Sequence, residues 1–446
     1  MKQIFKSYDI RGIYPTEINE EVAERIGGAT VKLLQAKSIA IGRDTRASSP
    51  SLFAALAKGI TDAGADVIDL GLATTPMVYY AGYALDVDGC ISLTASHNPP
   101  EYNGLKICSK GPVPMGLGSG LERIRDIALG KDSLLASTPG KIERHDISRE
   151  FQKFLSTFAN FGERRFRIAI DTANAMGILD IPLFRSLEPS LEIVKILYGE
   201  FDPTFPNHEA NPLKHETLAE LQDAVRTEHA DIGIAFDGDG DRVGFVDEKG
   251  DIVPMDLVTA LLARSVLTRY PGAVVLADLR SSRVVEEEIA NAGGIAHECR
   301  VGHAHIKRQM RDEHARLAGE LSGHYYFGEG YYAEMGPLPA IYLLNTMAKT
   351  GKPLSELWRS LLRYSHSGEQ NFTVANTEQV LARIKAAYPD GELSELDGVK
   401  VSYPNWWFSV RASNTEPLVR LNLEATTQSE MEQRKGELVA LIKGAK

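Results

Sequence analysis

The sequence predicts an α/β protein: three related α/β domains with mixed, mostly parallel sheets, followed by a C-terminal α+β domain. Three observations carry this prediction. Apolar, strand-like runs alternate with helical spacings through the first three quarters of the chain. Three of those runs end in sharp loops rich in glycine or polar residues. The last part changes character, with strands following one another without intervening helices.

Val22, Ile26, Ala29 and Leu33 fall on one face of a helix, and residues 39–42 form a short buried strand. Ser49-Pro50 starts the next helix, Ser as cap and Pro in the first turn; Leu52, Leu56 and Ile60 continue its face and Gly64 ends it. Residues 66–70 are the following strand. Strand–helix–strand at this spacing implies parallel pairing. The pattern recurs with a strand at 166–170, a helix at 216–228 and a strand at 230–236. A third round opens with a strand at 274–277 and a helix at 284–291. Further on, 372–375, 399–403, 407–410 and 418–423 read as strands, flanked by helices at 378–387 and 429–443, which is an antiparallel α+β layout. Trp406 and Trp407 are expected to pack this last unit.

The chain has 446 residues, 43% of them hydrophobic, enough for roughly three or four domains. Its formal net charge of −11, without a Lys/Arg block, argues against nucleic acid as a partner. A small phosphorylated ligand stays compatible, because a few local cations make a positive cleft in an acidic protein. Cys90, Cys108 and Cys299 share no CxxC spacing and read as reduced thiols of a cytoplasmic protein. The first residues carry Asp9 and lack an apolar core, so no signal peptide is expected. The longest apolar stretch, 71–85, contains Pro76 and is too short to span a membrane.

Asp237, Asp239 and Asp241 alternate with glycines between two apolar strands. Three carboxylates this close repel one another, and a hard divalent cation resolves the repulsion. Asp237, Asp239, Asp241 and Glu248 also match positions 1, 3, 5 and 12 of a calcium EF-hand loop. The sixth position, however, is Arg242 where that loop needs glycine, and the flanks are strands.

Ser96, in Thr94-Ala95-Ser96-His97-Asn98-Pro99, taken alone is an ordinary strand-to-loop turn. A Ser–His–Asp triad lacks the GxSxG elbow, and the adjacent His97 need not face Ser96. The acidic loop elsewhere and Lys106 nearby favour a serine that carries and releases a phosphoryl group against a cation. Glu320, Ser322 and His324 offer acceptors and donors suited to sugar hydroxyls. Arg411-Ala412-Ser413-Asn414-Thr415 reads as a phosphate cradle, with Arg420 as a second cation. Residues 42–46 and 8–11 are explained as well by an Asp–Arg ion pair as by ligand binding. His303 and His305 read as a turn entering a helix rather than a metal pair.

With these motifs in this order, the chain resembles the α-D-phosphohexomutase superfamily, especially bacterial phosphomannomutase/phosphoglucomutase. Residues 94–99 resemble its phosphoserine loop, 237–242 its metal loop, 320–324 its sugar loop and 411–415 its phosphate loop. Residues 8–12, 42–46 and Gly302-His303 also sit where that family has them. The resemblance implies four domains around a central cleft: 1–145 with the phosphoserine loop, 146–250 with the metal, 251–364 for sugar recognition and 365–446 for phosphate binding. It implies a cytoplasmic enzyme, monomer or homodimer, that uses Mg2+ and a hexose 1,6-bisphosphate activator and intermediate. By it, Ser96 carries the phosphate and joins Asp237, Asp239 and Asp241 on the metal. Arg11, His97, Lys106, Arg242 and His303 are catalytic candidates, with Lys106 moving a proton. Tyr8, Arg280, Glu320, Ser322, His324, Arg411, Ser413, Asn414, Thr415 and Arg420 are substrate-binding candidates. Leu321 stands where glucosamine-specific relatives usually carry Gln, and Trp406-Trp407-Phe408 resembles the phosphomannomutase branch. Residues 327–330 are shorter than in many relatives and Glu334 stands where Asp is common, which bears on the rim of the cleft.

Both substrate ends must visit Ser96, which calls for a sugar loop that reads hydroxyls from either direction and closure of the last domain. A metal-dependent sugar-phosphate phosphatase or phosphotransferase, a phosphoglucosamine mutase and a non-catalytic sugar-phosphate binder are the alternatives.

Overall fold

The computed structural model describes residues 2–130, 133–412 and 418–444. Four sheets form along the chain. The first contains β1 (Ile10–Ile13), β2 (Ser38–Arg43), β3 (Asp66–Leu72), β4 (Gly89–Leu93), β5 (Tyr102–Ser109), β6 (Val113–Pro114) and β7 (Ile142–Arg144), in the order β1-β5-β4-β2-β3-β7, with β6 on β5. β4, β2, β3 and β7 are parallel, as the strand–helix–strand alternation requires, whereas β5 and β1 add antiparallel at one side. The second sheet, in the order β11-β10-β8-β9, comprises β8 (Phe166–Asp171), β9 (Leu191–Leu197), β10 (Ile232–Phe236) and β11 (Val243–Asp247).

The third, in the order β13-β12-β14-β15-β16, comprises β12 (Val274–Asp278), β13 (Ile295–Cys299), β14 (Leu317–Gly319), β15 (Tyr325–Phe327) and β16 (Ala333–Glu334). The fourth is antiparallel: β17 (Ser365–His366), β18 (Gln370–Thr373), β19 (Glu392–Ser394), β20 (Val399–Ser402), β21 (Trp406–Ala412) and β22 (Leu418–Ala425).

Where sequence and structure differ, the causes are local. Ser48, not Ser49, caps the second helix; Ser49 is buried inside it and donates to Asp44 Oδ1 at 2.6 Å. Residues 215–218 open the predicted 216–228 helix as a 3-10 turn, and the α-helix is Ala219–Thr227. Glu334 is not on the cleft rim: it is fully buried, paired with Lys307 Nζ at 2.6 Å. Cys90, Cys108 and Cys299 are free and buried. No helix among the described residues is long and apolar enough to cross a membrane.

One apolar cluster runs without a break from Ala40 through Phe166 and Leu261 to Leu361, so one face of each of the first three sheets joins a shared core, while separate clusters pack other helices, such as Glu20–Leu34, Ser49–Asp62 and Leu121–Leu129. The last sheet has its own, built from Val380, Trp406, Phe408, Val410, Leu421, Leu423 and Leu438. Side chains alternate along β21, so Trp407, Ser409 and Arg411 take the opposite face. Trp407 therefore belongs outside that core; its indole donates to Glu424 Oε1 at 2.9 Å.

Candidate active site

The acidic loop joins two fully buried antiparallel strands, β10 and β11, which holds its ends fixed. Asp237 Oδ1 accepts from the amides of Asp241 and Arg242, both at 3.2 Å. Asp239 is gripped from the first sheet: Thr75, at the start of the helix Thr75–Ala84, donates its amide to the Asp239 carbonyl and its hydroxyl to Oδ2 at 2.6 Å. Lys106 Nζ, from β5, reaches Asp239 Oδ2 at 2.6 Å and Asp241 Oδ2 at 2.5 Å. Burial alone would lower the Lys106 pKa, but Asp239, Asp241 and Asp237 outweigh it and hold it above the usual range. Burial, then Asp239 and Asp241, lift Asp237 to about 7.

The three aspartates each offer an oxygen within 4.8 Å of the others. Oδ1 of Asp239 is buried without a hydrogen-bond partner, and Oδ1 of Asp241 is buried with only the His324 ring nitrogen near it, at 3.3 Å. Hard, anionic, under-satisfied oxygens in one buried place fit a divalent cation such as magnesium. The EF-hand alternative fails, because Glu248 accepts from the amide and hydroxyl of Ser355.

Ser96 follows β4 and adopts a left-handed backbone with φ 52°. Such strain persists where surrounding contacts over-determine it. Here the contacts come from three sides. Thr94 Oγ1 accepts the Ser96 amide at 2.8 Å. A Cβ at Gly238 would lie 2.2 Å from the Ser96 carbonyl oxygen, so the acidic loop presses against Ser96 at a glycine. Arg46, wholly buried, donates from Nη2 to the carbonyls of Ser96 (2.8 Å) and Asn98 (2.7 Å). It donates from Nη1 to those of Pro99 (2.6 Å) and Tyr102 (3.1 Å), and from Nε to Asp44 Oδ2 (3.0 Å). All five guanidinium protons are used.

The Ser96 hydroxyl donates to Asp237 Oδ2 at 2.8 Å and lies 3.2 Å from His97 Nδ1, so His97 does face it. Arg242 foremost, then burial, Arg11 and Lys106, push the His97 pKa well below its usual value, leaving a neutral ring. Arg11 donates to Asn98 Oδ1 and Asp9 Oδ2, both at 2.5 Å.

The loop at 320–324 is tied to the acidic loop by the bridge between Arg242 and His324 and by the Val243 amide on the Gly323 carbonyl. His324 Nε2 is 3.3 Å from Asp241 Oδ1, and its Nδ1 is 2.7 Å from Ser322 Oγ and 3.2 Å from Glu320 Oε2. Burial would lower the His324 pKa, but Asp241 and Glu320 outweigh burial and Arg242, raising it to about 9. Glu320 also accepts from the Gly302 amide at 2.9 Å and the Tyr326 hydroxyl at 2.7 Å. Gly302, at φ 118°, lets the Tyr8 ring approach to 2.4 Å from where a Cβ would stand; Tyr8 donates to the Val301 carbonyl at 3.0 Å. His303 starts the helix His303–Asp312, with Nδ1 buried and unbonded. Burial, then Lys307 and Lys106, keeps it neutral.

A separate cationic cluster lies where the last sheet meets the third. Arg411 and Arg420 stand directly opposite each other across β21 and β22. Arg280 joins them, held by Asp278 through Nε at 3.0 Å and Nη2 at 2.7 Å. All three point at the Glu369 carboxylate. Ser413, Asn414 and Thr415 lie outside the described residues.

Thus Ser96, His97, Lys106, Arg11, Arg242 and the three aspartates converge, with Glu320, Ser322 and His324 bonded to them and Tyr8 and His303 attached through Gly302. Arg280, Arg411 and Arg420 form the second centre. Sequence reasoning missed Thr75, Arg46 as a clamp, and Glu369. All three depend on partners distant in sequence: Thr75 bonds Asp239 164 residues away, and Arg46 and Glu369 likewise meet remote segments.

Residues 2–133, 149–250 and 254–364 match the phosphoglucomutase/phosphomannomutase alpha/beta/alpha domains I, II and III, and 369–441 match the C-terminal domain of the same family. The phosphomannomutase of Methanocaldococcus jannaschii is 38% identical over 98% of this chain and 97% of its own. The phosphohexose mutases of Xanthomonas campestris pv. campestris are 36% identical over 99% of both. A phosphoglucomutase/phosphomannomutase family protein of Burkholderia thailandensis superposes with a TM-score of 0.91 at 32% identity, covering 100% of this chain and 98% of that one. Four domains, a serine set against three carboxylates and an arginine cluster define a sugar-phosphate mutase, an intramolecular phosphotransferase. The chain belongs to the phosphoglucomutase/phosphomannomutase family.

Proposed function

We propose that this enzyme interconverts hexose 1-phosphate and hexose 6-phosphate, of mannose, glucose or both, through a phosphoserine at Ser96 and a bisphosphorylated sugar. The observation that carries the reading is the Ser96 hydroxyl on Asp237 Oδ2 at 2.8 Å, in a left-handed turn against Gly238. Asp237, Asp239 and Asp241, with an oxygen on Ser96, would hold magnesium, which when bound offsets negative charge on the transferring phosphoryl group.

The remaining work falls to the chain's own groups. The Ser96 proton goes to Asp237, so His97 Nδ1 carries the proton that faces Oγ, and the neutral ring steadies that oxygen. Lys106 Nζ, held between Asp239 and Asp241, gives a proton to the Ser96 oxygen as it leaves phosphorus and recovers one from the attacking sugar hydroxyl, the two transfers reversing on the return step. Glu320 and Ser322 take the 3- and 4-hydroxyls, with the protonated His324 fixing both. Arg280, Arg411 and Arg420, with residues 413–415, take the phosphate that is not being transferred. The bisphosphorylated sugar then turns end for end, and Ser96 recovers a phosphoryl group from its other end. A cytoplasmic setting fits the three free thiols.

The test compares initial rates with mannose 1-phosphate, glucose 1-phosphate and glucosamine 1-phosphate, with magnesium and trace hexose 1,6-bisphosphate. The first two should be isomerised and the third poorly. Ser96→Ala should bind sugar phosphate without turnover. Free phosphate appearing faster than the 6-phosphate would replace the mutase with a phosphatase.

A further inference from the structure

Arg411 and Arg420 face each other across an antiparallel pair, where like charges destabilise a sheet. Arg280 brings a third guanidinium from the neighbouring sheet. Glu369 meets all of them: Oε2 accepts from Arg280 Nη1 at 3.3 Å, Arg411 Nη2 at 3.2 Å and Asn422 Nδ2 at 3.5 Å, and Oε1 accepts from Arg420 Nη1 at 3.0 Å. A carboxylate engages guanidinium N–H groups as a phosphate does, with two oxygens in one plane. Asp278 and Glu320 already offset Arg280, so among the described residues Arg411 and Arg420 depend on Glu369 for a carboxylate.

No strand holds Glu369. It sits between β17 and β18, outside either strand, after Gly368, whose φ is 67° and beside which no atom lies within 4 Å of a would-be Cβ. Its side chain keeps 27% exposure, whereas Arg280 and Arg411 are nearly enclosed.

We propose that Glu369 is the resident anion of this cradle, displaced by the substrate's phosphate and returning when that phosphate departs. The inference rests on the mutase reading for its purpose. If the intermediate turns end for end, the cradle must release one phosphate and accept another in every cycle. Without a returning carboxylate, release would leave Arg411 and Arg420 facing each other with no ion-pair partner among the described residues. Glu369 thereby weakens the hold on phosphate and speeds its release.

The experiment uses the full chain with inorganic phosphate as probe, titrated calorimetrically into wild type and Glu369→Gln, with Arg411→Gln as the blank for binding elsewhere. Glu369→Gln should bind phosphate about tenfold tighter, since removing one negative charge at contact distance strengthens attraction across a partly hydrated cluster. With glucose 1-phosphate, KM and kcat should both fall. Phosphate binding that is unchanged or weaker in Glu369→Gln overturns the proposal, since a residue that merely props the arginines would weaken it. In the wild type, saturating phosphate should speed hydrogen exchange across residues 365–373; unchanged or slower exchange overturns the displacement even if the variant misfolds. Absence of glucose 1-phosphate isomerisation would overturn the mutase reading, while the titration would still judge Glu369.

Discussion

Arg46→Lys isolates how the Ser96 turn is held. Arg46 makes five hydrogen bonds from a side chain with 0% exposure, four of them to carbonyls between Ser96 and Tyr102. Lysine keeps the charge opposite Asp44 but offers three donors from one atom, so at least two acceptors lose their partner. Each buried acceptor left unmade costs about 1–3 kcal/mol, or about 2–6 kcal/mol for two. The loop can relieve this cost by turning carbonyls toward water, which moves Ser96 away from Asp237. A displacement of about 1 Å at a reacting atom costs about 100-fold in rate. In a coupled mutase assay, kcat should therefore drop about 100-fold while KM moves less than about threefold, because every Arg46 donor is already taken by a protein group. Thermal unfolding should shift down as well. A variant that melts lower yet turns over at the wild-type rate would refute the positioning role.

Gly302→Ala should cost about 1–3 kcal/mol and raise KM, because its Cβ would meet the Tyr8 ring at 2.4 Å with φ at 118°; wild-type melting and KM would contradict this. Lys106→Met should lose about 3–5 kcal/mol in chelator by stranding Asp239 and Asp241, with much of the loss restored by magnesium in the same melt. Burial would raise the Glu369 pKa, but Arg280, Arg411 and Arg420 bring it from 4.5 to about 2. A folded pKa below the unfolded one gives stability that is full above the unfolded pKa and lost as pH falls toward 2. Glu369→Gln should therefore flatten urea-measured stability over that acid range; an equally steep limb counts against the ion cluster.

The central parallel strands β2, β4, β8 and β10 were legible because their apolar runs are continuous and largely buried, whereas the parallel edge strands β7, β9 and β13 are mostly exposed or half-buried and were not read. β1 and β5 were not: Gly12, Asn103 and Gly104 break the pattern, and their pairing spans the first domain. The helices Met255–Arg269 and Leu338–Thr350 are buried nearly all round, so they show little amphipathic period to read. The site was legible where its parts lie together in sequence, as in the alternating aspartates and the run around Ser96. Arg46 was not, because four of its five acceptors lie 50 to 56 residues away. Glu369 stands far from any motif, and its partners Arg280, Arg411 and Arg420 come from two other segments.

The division of the apolar core has a mechanical consequence. The loops bearing Ser96, Asp237 and Glu320 ride on domains welded by shared hydrocarbon, so moving one against another would open a void. The C-terminal unit meets that body through exchangeable partners, among them Arg283 on the carbonyls of Pro404 and Trp406 and Lys400 on that of Leu279. Water can replace each such bond at small net change in free energy. Arg411 and Arg420 can therefore shift relative to Arg280, which stays on the welded body with the loops bearing Ser96, Asp237 and Glu320.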